Sequence, residues 1–326
     1  MRLKLGLLFY IVLSLPLSPC LAGLHSVEEQ NADRFIQSLY SHEKGKTLPM
    51  PKRLAEISRL FLNKPYYLGA LGEGLSGNYD QYPLYRVDAF DCLTFVETVL
   101  ALSLADNLSS FKHNMQSIRY AEGRLSFVMR NHFTDLDWNS NSQRQGILND
   151  ITTTFHDEHQ QPIAKTARAE INKPAWYQHF SESKIRLTVS SPALQRKRLE
   201  ELKKRGQNLR AQVATIYYIP LTVLFDRKGK PNHYIFQQIP DGAIVEIIRP
   251  NWDLTSVIGT HLNVSHLGFA FWHKGVLLFR NASTLKGSVV DQPLIEYLSD
   301  ALSSPTIKGI NIQVVLDKRT TARPAE

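Results

Sequence analysis

Asp91-Cys92-Leu93-Thr94-Phe95-Val96-Glu97 opens a helix on a cysteine. Phe95, Val96, Val99, Leu100 and Leu102 recur at helical spacing, so the helix runs from about Asp91 to Leu104. Asp91 is a fitting N-cap, and Cys92 falls in the first turn. Unpaired N–H groups and the helix dipole stabilise an anion there. A thiolate is the nucleophilic form of cysteine, and this position alone predicts a lowered thiol pKa. The same N–H groups suit the oxyanion of a tetrahedral intermediate. The negative charge of Asp91 works against a thiolate, which requires that its carboxylate be tied up structurally or turned away.

Working outward, the cysteine count sharpens the reading. The 326 residues hold two cysteines, Cys20 and Cys92. Arg2 and Lys4 precede an apolar run from Leu5 to Leu15, and a small-residue, helix-breaking stretch follows from Pro16 to Ala22. This is the pattern of a secretory signal peptide over residues 1–22, cleaved after Ala22, with an apolar run too short to span a bilayer. A lipid anchor on Cys20 fits poorly after Pro19. The expectation is an exported protein of the periplasm or cell envelope with no transmembrane segment. Cys92 is then its only thiol, either a buried small hydrophobe or a nucleophile.

The chain is 43% hydrophobic and 21% charged, a globular balance. Its formal charge of +8 falls by two with the leader's Arg2 and Lys4. A basic chain is biased toward polyanions, although such charge is mostly a solvated face. Ser26 and Glu29 form a capping box, and Pro51 starts a second helix with Leu54, Ile57, Leu60 and Phe61 on one face. Lys64 to Tyr85 is a Gly- and Tyr-rich loop, and a basic helix spans about Pro192 to Ala211. Strand patterns follow at Ile216 to Ile219, Ala243 to Ile248, His266 to Phe271, Val276 to Arg280 and Ile310 to Leu316, with a short helix from Pro293 to Leu302. Helices first and strands later argue for an α+β fold.

A thiol nucleophile needs a base. His266 lies in a strand whose one face is His266, Gly268 and Ala270, and whose other face is Leu267, Phe269 and Phe271. The small residues leave open space beside the imidazole; the alternative is a core histidine bonded to a backbone carbonyl. A two-residue loop at His273-Lys274, or a four-residue loop from Trp272 to Gly275, places Asn281 directly opposite His266 and able to accept from its N–H. A three-residue loop puts Asn281 on the other face. His132, near aromatic residues, is a second choice of base, and His156-Asp157-Glu158-His159 reads as a solvated loop.

Pro65-Tyr66-Tyr67-Leu68-Gly69, Phe90-Asp91-Cys92, Ser265-His266-Leu267-Gly268-Phe269 and Asn281-Ala282-Ser283 resemble the NlpC/P60 superfamily of papain-like cell-wall hydrolases. Asp91 to Glu97, with Arg130 to His132 and Trp138 to Thr152, more narrowly resembles the DUF1460 group, described as N-acetylmuramoyl-L-alanine amidase-like. The resemblance implies a papain-like fold with the nucleophile helix packed on an antiparallel sheet. It implies Cys92 as nucleophile, His266 as base and then acid, Asn281 as the group that orients it, and Tyr66 near the oxyanion or substrate. His132 is carried as a further substrate-side candidate. The long Cys–His spacing implies one domain over 23–326 with a large insertion at about 109–213. The implied substrate is peptidoglycan, cut at the muramoyl–L-Ala amide or at a γ-D-Glu peptide bond, with no cofactor and no metal.

Other classes are weaker. Gly72-Glu73-Gly74-Leu75-Ser76-Gly77 matches a dinucleotide fingerprint but lacks the preceding strand and opening helix. A zinc site would need ligands from His132, Asp135 and His156, at no recognised spacing. Export and the lack of a basic–aromatic motif disfavour nucleic acid. The rival of a different class is a non-catalytic wall-binding protein on the same fold.

Overall fold

The computed structural model describes residues 26–43 and 48–317; the signal peptide expected over residues 1–22, its expected cleavage position and Cys20 lie outside the described residues. Six helices of eight or more residues occur among them: α1 (Val27–Glu43), α2 (Met50–Arg59), α3 (Cys92–Leu104), α4 (Leu108–Arg119), α5 (Pro192–Gln207) and α6 (Leu294–Ala301). The strands are β1 (Leu148–Asp150), β2 (Lys165–Ile171), β3 (Gln212–Pro220), β4 (Ala243–Leu254), β5 (Thr260–His273), β6 (Val276–Ser283), β7 (Ser288–Pro293) and β8 (Gly309–Val315). They form one sheet in the order β2-β3-β8-β4-β5-β6-β7, with β1 on β8. Every strand pairing is antiparallel. The architecture is α+β, as the order of sequence patterns predicts.

Local chemistry sets the helix starts. Ser26 N–H donates to Glu29 Oε2 at 3.1 Å and Glu29 N–H returns to Ser26 Oγ at 3.2 Å, closing the capping box of α1. Pro51 sits in the first turn of α2, where its missing N–H costs nothing. Leu54 and Ile57 are buried as expected, but Leu60 falls just past the helix end and is 44% exposed.

α3 is buried on nearly all sides, as its continuous apolar sequence requires. Phe95 packs edge-on against Phe269 of β5, with centroids 6.0 Å apart. Leu267, Phe269 and Phe271 join α1, α2, α3 and α4 in one core, while Ala270, Phe279 and Ile247 face a second core under α6. A buried Glu97–Arg119 ion pair ties α3 to α4. Phe111, Met115, Ile118, Trp138, Ile147 and Leu148 also belong to the first core. Smaller clusters gather elsewhere in the middle of the chain, one joining Phe127, Tyr177 and Leu202 and another Phe133, Ile171 and Ala214.

The β5–β6 hairpin fixes the site. Lys274 and Gly275 form its turn, both with positive φ (49° and 81°), and His273 pairs with Val276. The ladder ends at Phe269 and Arg280. This turn lies one residue beyond the two-residue loop expected from sequence, so Asn281 does not stand directly opposite His266.

Candidate active site

Asp91 caps α3, and its carboxylate is fully engaged. Oδ1 accepts from the Thr94 N–H and hydroxyl, both at 2.8 Å, and Asp91 N–H donates to Thr94 Oγ1 at 2.9 Å. Oδ2 accepts from Gly69 N–H at 2.9 Å, drawing in the loop that carries Tyr66. The carboxylate is thereby tied up structurally, as a negative charge beside Cys92 requires.

Cys92 is the first residue of α3, half-buried, and the one free cysteine among the described residues. Its sulfur receives backbone N–H groups from Leu267, Leu93 and Cys92 itself, each favouring a thiolate. Burial and then the Asp91 charge outweigh them and push the thiol up to about 12. The helix terminus alone predicts the opposite. Desolvation of the sulfur wins, so the resting group is a neutral thiol.

The Leu267 contact sets Cys92 beside the backbone of β5 one residue from His266. His266 is half-buried, and its Nε2 lies 2.9 Å from Asn281 Oδ1. The Asn281 amide also donates from Nδ2 to Phe279 O at 3.3 Å, which orients it. An amide oxygen only accepts, so Nε2 carries the proton and Nδ1 keeps its lone pair. Burial lowers the His266 pKa, partly offset by the Asn281 bond. His266 and Asn281 thus share a face, as expected, but meet diagonally. Continuing the register past Phe269–Arg280 sets Gly268 across from Asn281. A Cβ on Gly268 would lie 2.5 Å from Arg280 O and 2.8 Å from Asn281 Cβ. The missing side chain is what allows Asn281 to reach the imidazole.

Tyr66 is bridged to Phe90, so it stands beside the start of α3. Its hydroxyl bonds Thr284, and burial, then the nearby Cys92 and Asp91, raise its pKa. Its loop is clamped by a buried network: Arg130 pairs with Glu73 and with Asp80 at 3.0 Å, and Arg186 holds Asp80 at 2.5 Å and Gly69 O at 2.6 Å. Tyr297 of α6 is a neighbour that sequence reading missed. Its ring is 6.3 Å from His266 and 5.1 Å from Phe279, and burial, with Cys92 nearby, pushes its hydroxyl up to about 12. The short helix was legible; its approach to Cys92 is a product of tertiary packing.

His132 is placed elsewhere in the contacts of the fold. It sits between Phe127 and Trp176, each 4.8 Å away by centroid, with Nε2 on Phe127 O at 2.8 Å. Burial, then Arg130, drives its pKa well below the usual value. Asp135 accepts from Asn263 and His156 bonds Gln238, so the three zinc candidates have separate partners. Among the described residues no group of three His, Cys, Asp or Glu converges on a metal position. No helix among them is long and apolar enough to cross a membrane.

The antiparallel α+β fold brings the start of helix α3, with Cys92, beside the strand that carries the hydrogen-bonded His266–Asn281 pair. The model of the AmiA-like family, described as N-acetylmuramoyl-L-alanine amidase-like, matches residues 56–307, and the chain belongs to that family. It is similar to a Legionella pneumophila protein of DUF1460, with 50% identity over 89% of this chain and 96% of that one, at a TM-score of 0.86. It is also similar to an N-acetylmuramoyl-L-alanine amidase from Bacteroides uniformis, with 25% identity over 82% of this chain and 98% of that one, at a TM-score of 0.57. No curated protein matches the chain.

Proposed function

We propose that this chain is an exported cysteine hydrolase of the papain-like NlpC/P60 type that cleaves the N-acetylmuramoyl–L-alanine amide of peptidoglycan. The observation that carries the reading is the His266–Asn281 bond, which leaves Nδ1 free as a base on the strand whose Leu267 N–H contacts the Cys92 sulfur. The family description and the B. uniformis amidase support the choice of bond.

The chemistry begins from a neutral thiol and a neutral imidazole. His266 Nδ1 takes the thiol proton as Cys92 Sγ attacks the lactyl carbonyl carbon. The oxyanion that forms is held by N–H groups at the start of α3, with the Tyr66 hydroxyl as a second donor. Asn281 keeps the charged imidazolium in line. Collapse breaks the C–N bond, and His266 returns the proton to the leaving L-alanine nitrogen. Water, deprotonated by His266, then hydrolyses the thioester and frees the muramoyl carboxylate.

Mass spectrometry of a muropeptide digest tests this. The expected products are free saccharide and a peptide with an L-alanine amino terminus. Cleavage only after γ-D-glutamate would make the chain an endopeptidase instead. Binding without turnover would make it a wall-binding protein.

A further inference from the structure

A groove of about 440 Å³ begins at Tyr66 and is walled by Tyr67, Tyr82, Pro83, Arg86 and Asp88. That volume lies in the range of small-ligand sites. Tyr67 is 41% exposed, yet its ring is fixed. It stacks on Tyr82 at 6.2 Å and 17°, and the two hydroxyls are 2.9 Å apart. Arg186 backs the pair from 3.6 Å over the Tyr82 ring, itself held by Gly69 O, Leu71 O and Asp80. Little ordering entropy is therefore lost when a ligand settles on these rings.

Charge decides what that ligand is. Arg86 is bound bidentately by Asp88, Nε to Oδ1 at 2.8 Å and Nη2 to Oδ2 at 2.6 Å, so its cation is already answered. Glu28 adds a second carboxylate, so the charged residues that line the groove itself are two acids and one already paired arginine. Such a site repels carboxylates. The two halves of a muramoyl–peptide differ in this respect. The sugar is uncharged, because its lactyl carboxyl is the acyl side of the amide, while the stem peptide bears free carboxylates.

We infer that this groove is the saccharide subsite, with the Tyr67–Tyr82 pair as its floor, so that the glycan lies on the Tyr66 side of Cys92 and the stem peptide leaves by the other side. The inference rests on the muramoyl amide reading of the same site. Tyrosine hydroxyls, Glu28 and Asp88 supply partners for sugar hydroxyls and the N-acetyl group, and the ring faces cover its apolar C–H surface.

Calorimetry on Cys92→Ala protein tests it, with an N-acetylglucosaminyl–N-acetylmuramic acid disaccharide whose lactyl carboxyl is a methyl amide. Tyr67→Ala and Tyr82→Ala are expected to weaken binding ~10-fold or more, and Tyr67→Phe by less than about threefold. Binding of a sugar-free stem peptide stays unchanged, which also reports that the variants are folded. Saturation transfer from tyrosine ring protons to the sugar gives a readout that needs no substitution at the groove. Absent transfer, or disaccharide binding indifferent to Tyr67→Ala, overturns the inference. If sugar binding depends on Tyr67 while Cys92 protein leaves the muramoyl amide intact, the groove stands and the amidase reading falls. Cleavage of that amide with Tyr67-independent binding has the reverse meaning.

Discussion

His266 and Asn281 meet on a diagonal across the end of the β5–β6 ladder, Nε2 to Oδ1 at 2.9 Å, and Gly268 is the residue between them. A directly opposed pair needs only the right register. A diagonal pair needs, in addition, an empty position at the crossing point.

Gly268→Ala is therefore expected to damage the site as well as the strand. The new Cβ meets Arg280 O, Asn281 Cβ and Phe279 Cε2, and backbone is among the atoms that must give. The expected result is a fall in kcat/KM of at least ~10-fold with a loss of ~1–3 kcal/mol in stability. The readout specific to positioning is the pH–rate profile, whose acid limb should move down as the Asn281 bond loosens. An unchanged limb with only a lower Tm would reduce Gly268 to a packing residue.

Cys92→Ser keeps the shape of the site and removes the polarizable sulfur that the proposed mechanism uses as nucleophile. The expected loss in kcat is ~10³-fold or more, with Tm and muropeptide affinity close to those of the parent. Turnover by Cys92→Ala at the parent rate would end the cysteine reading and return the site to a binding role.

The pH dependence follows from two desolvated groups shifted in opposite directions. In the proposed mechanism the neutral imidazole is the base, and burial lowers the His266 pKa below its ordinary 6.5. The thiol is pushed up to about 12. Activity should rise through an acid limb below pH 6.5 and then stay flat past pH 9, without the break near 8.5 of an ordinary thiol. Asn281→Ala removes the bond that favours the imidazolium, so the acid limb shifts lower still while kcat falls. A bell with limbs near 4 and 8 would instead indicate a preformed thiolate–imidazolium pair.

The parts of this site that were legible in sequence are those fixed by neighbours in the chain. The Asp91–Thr94 cap and the alternation of His266, Gly268 and Ala270 against Leu267, Phe269 and Phe271 are local facts, and both hold. The hairpin register differs because the turn is Lys274-Gly275 alone, and His273, which both expected loops placed in the turn, pairs with Val276. Strand β2 was missed because Lys165 to Ile171 is charged and alanine-rich, and only its seven-residue pairing with β3 makes it a strand. The thiol pKa was misjudged because burial is a tertiary property, which no helix-terminus rule contains.

Glu246 gives a stability prediction independent of catalysis. It lies fully buried in β4, and its Oε2 accepts from Asn139 Nδ2 at 3.0 Å. Glu246 Oε1 and Asn139 Oδ1 are both buried without a partner among the described residues. A proton on the carboxyl removes the buried charge, and burial pushes its pKa up to about 8. The folded pKa thus lies above the unfolded value of ~4.3, so the folded state binds the proton more tightly. Stability is full below about pH 4 and declines as pH rises toward 8. Glu246→Gln fixes the uncharged form and keeps an oxygen able to accept from Asn139 Nδ2. It should raise Tm at pH 7.5 by ~5 °C or more, corresponding to about 2–3 kcal/mol, and leave it nearly unchanged at pH 4. Thermal melts of both proteins across that range check the sign; a gain of equal size at pH 4 would mean that packing, not the charge, is responsible.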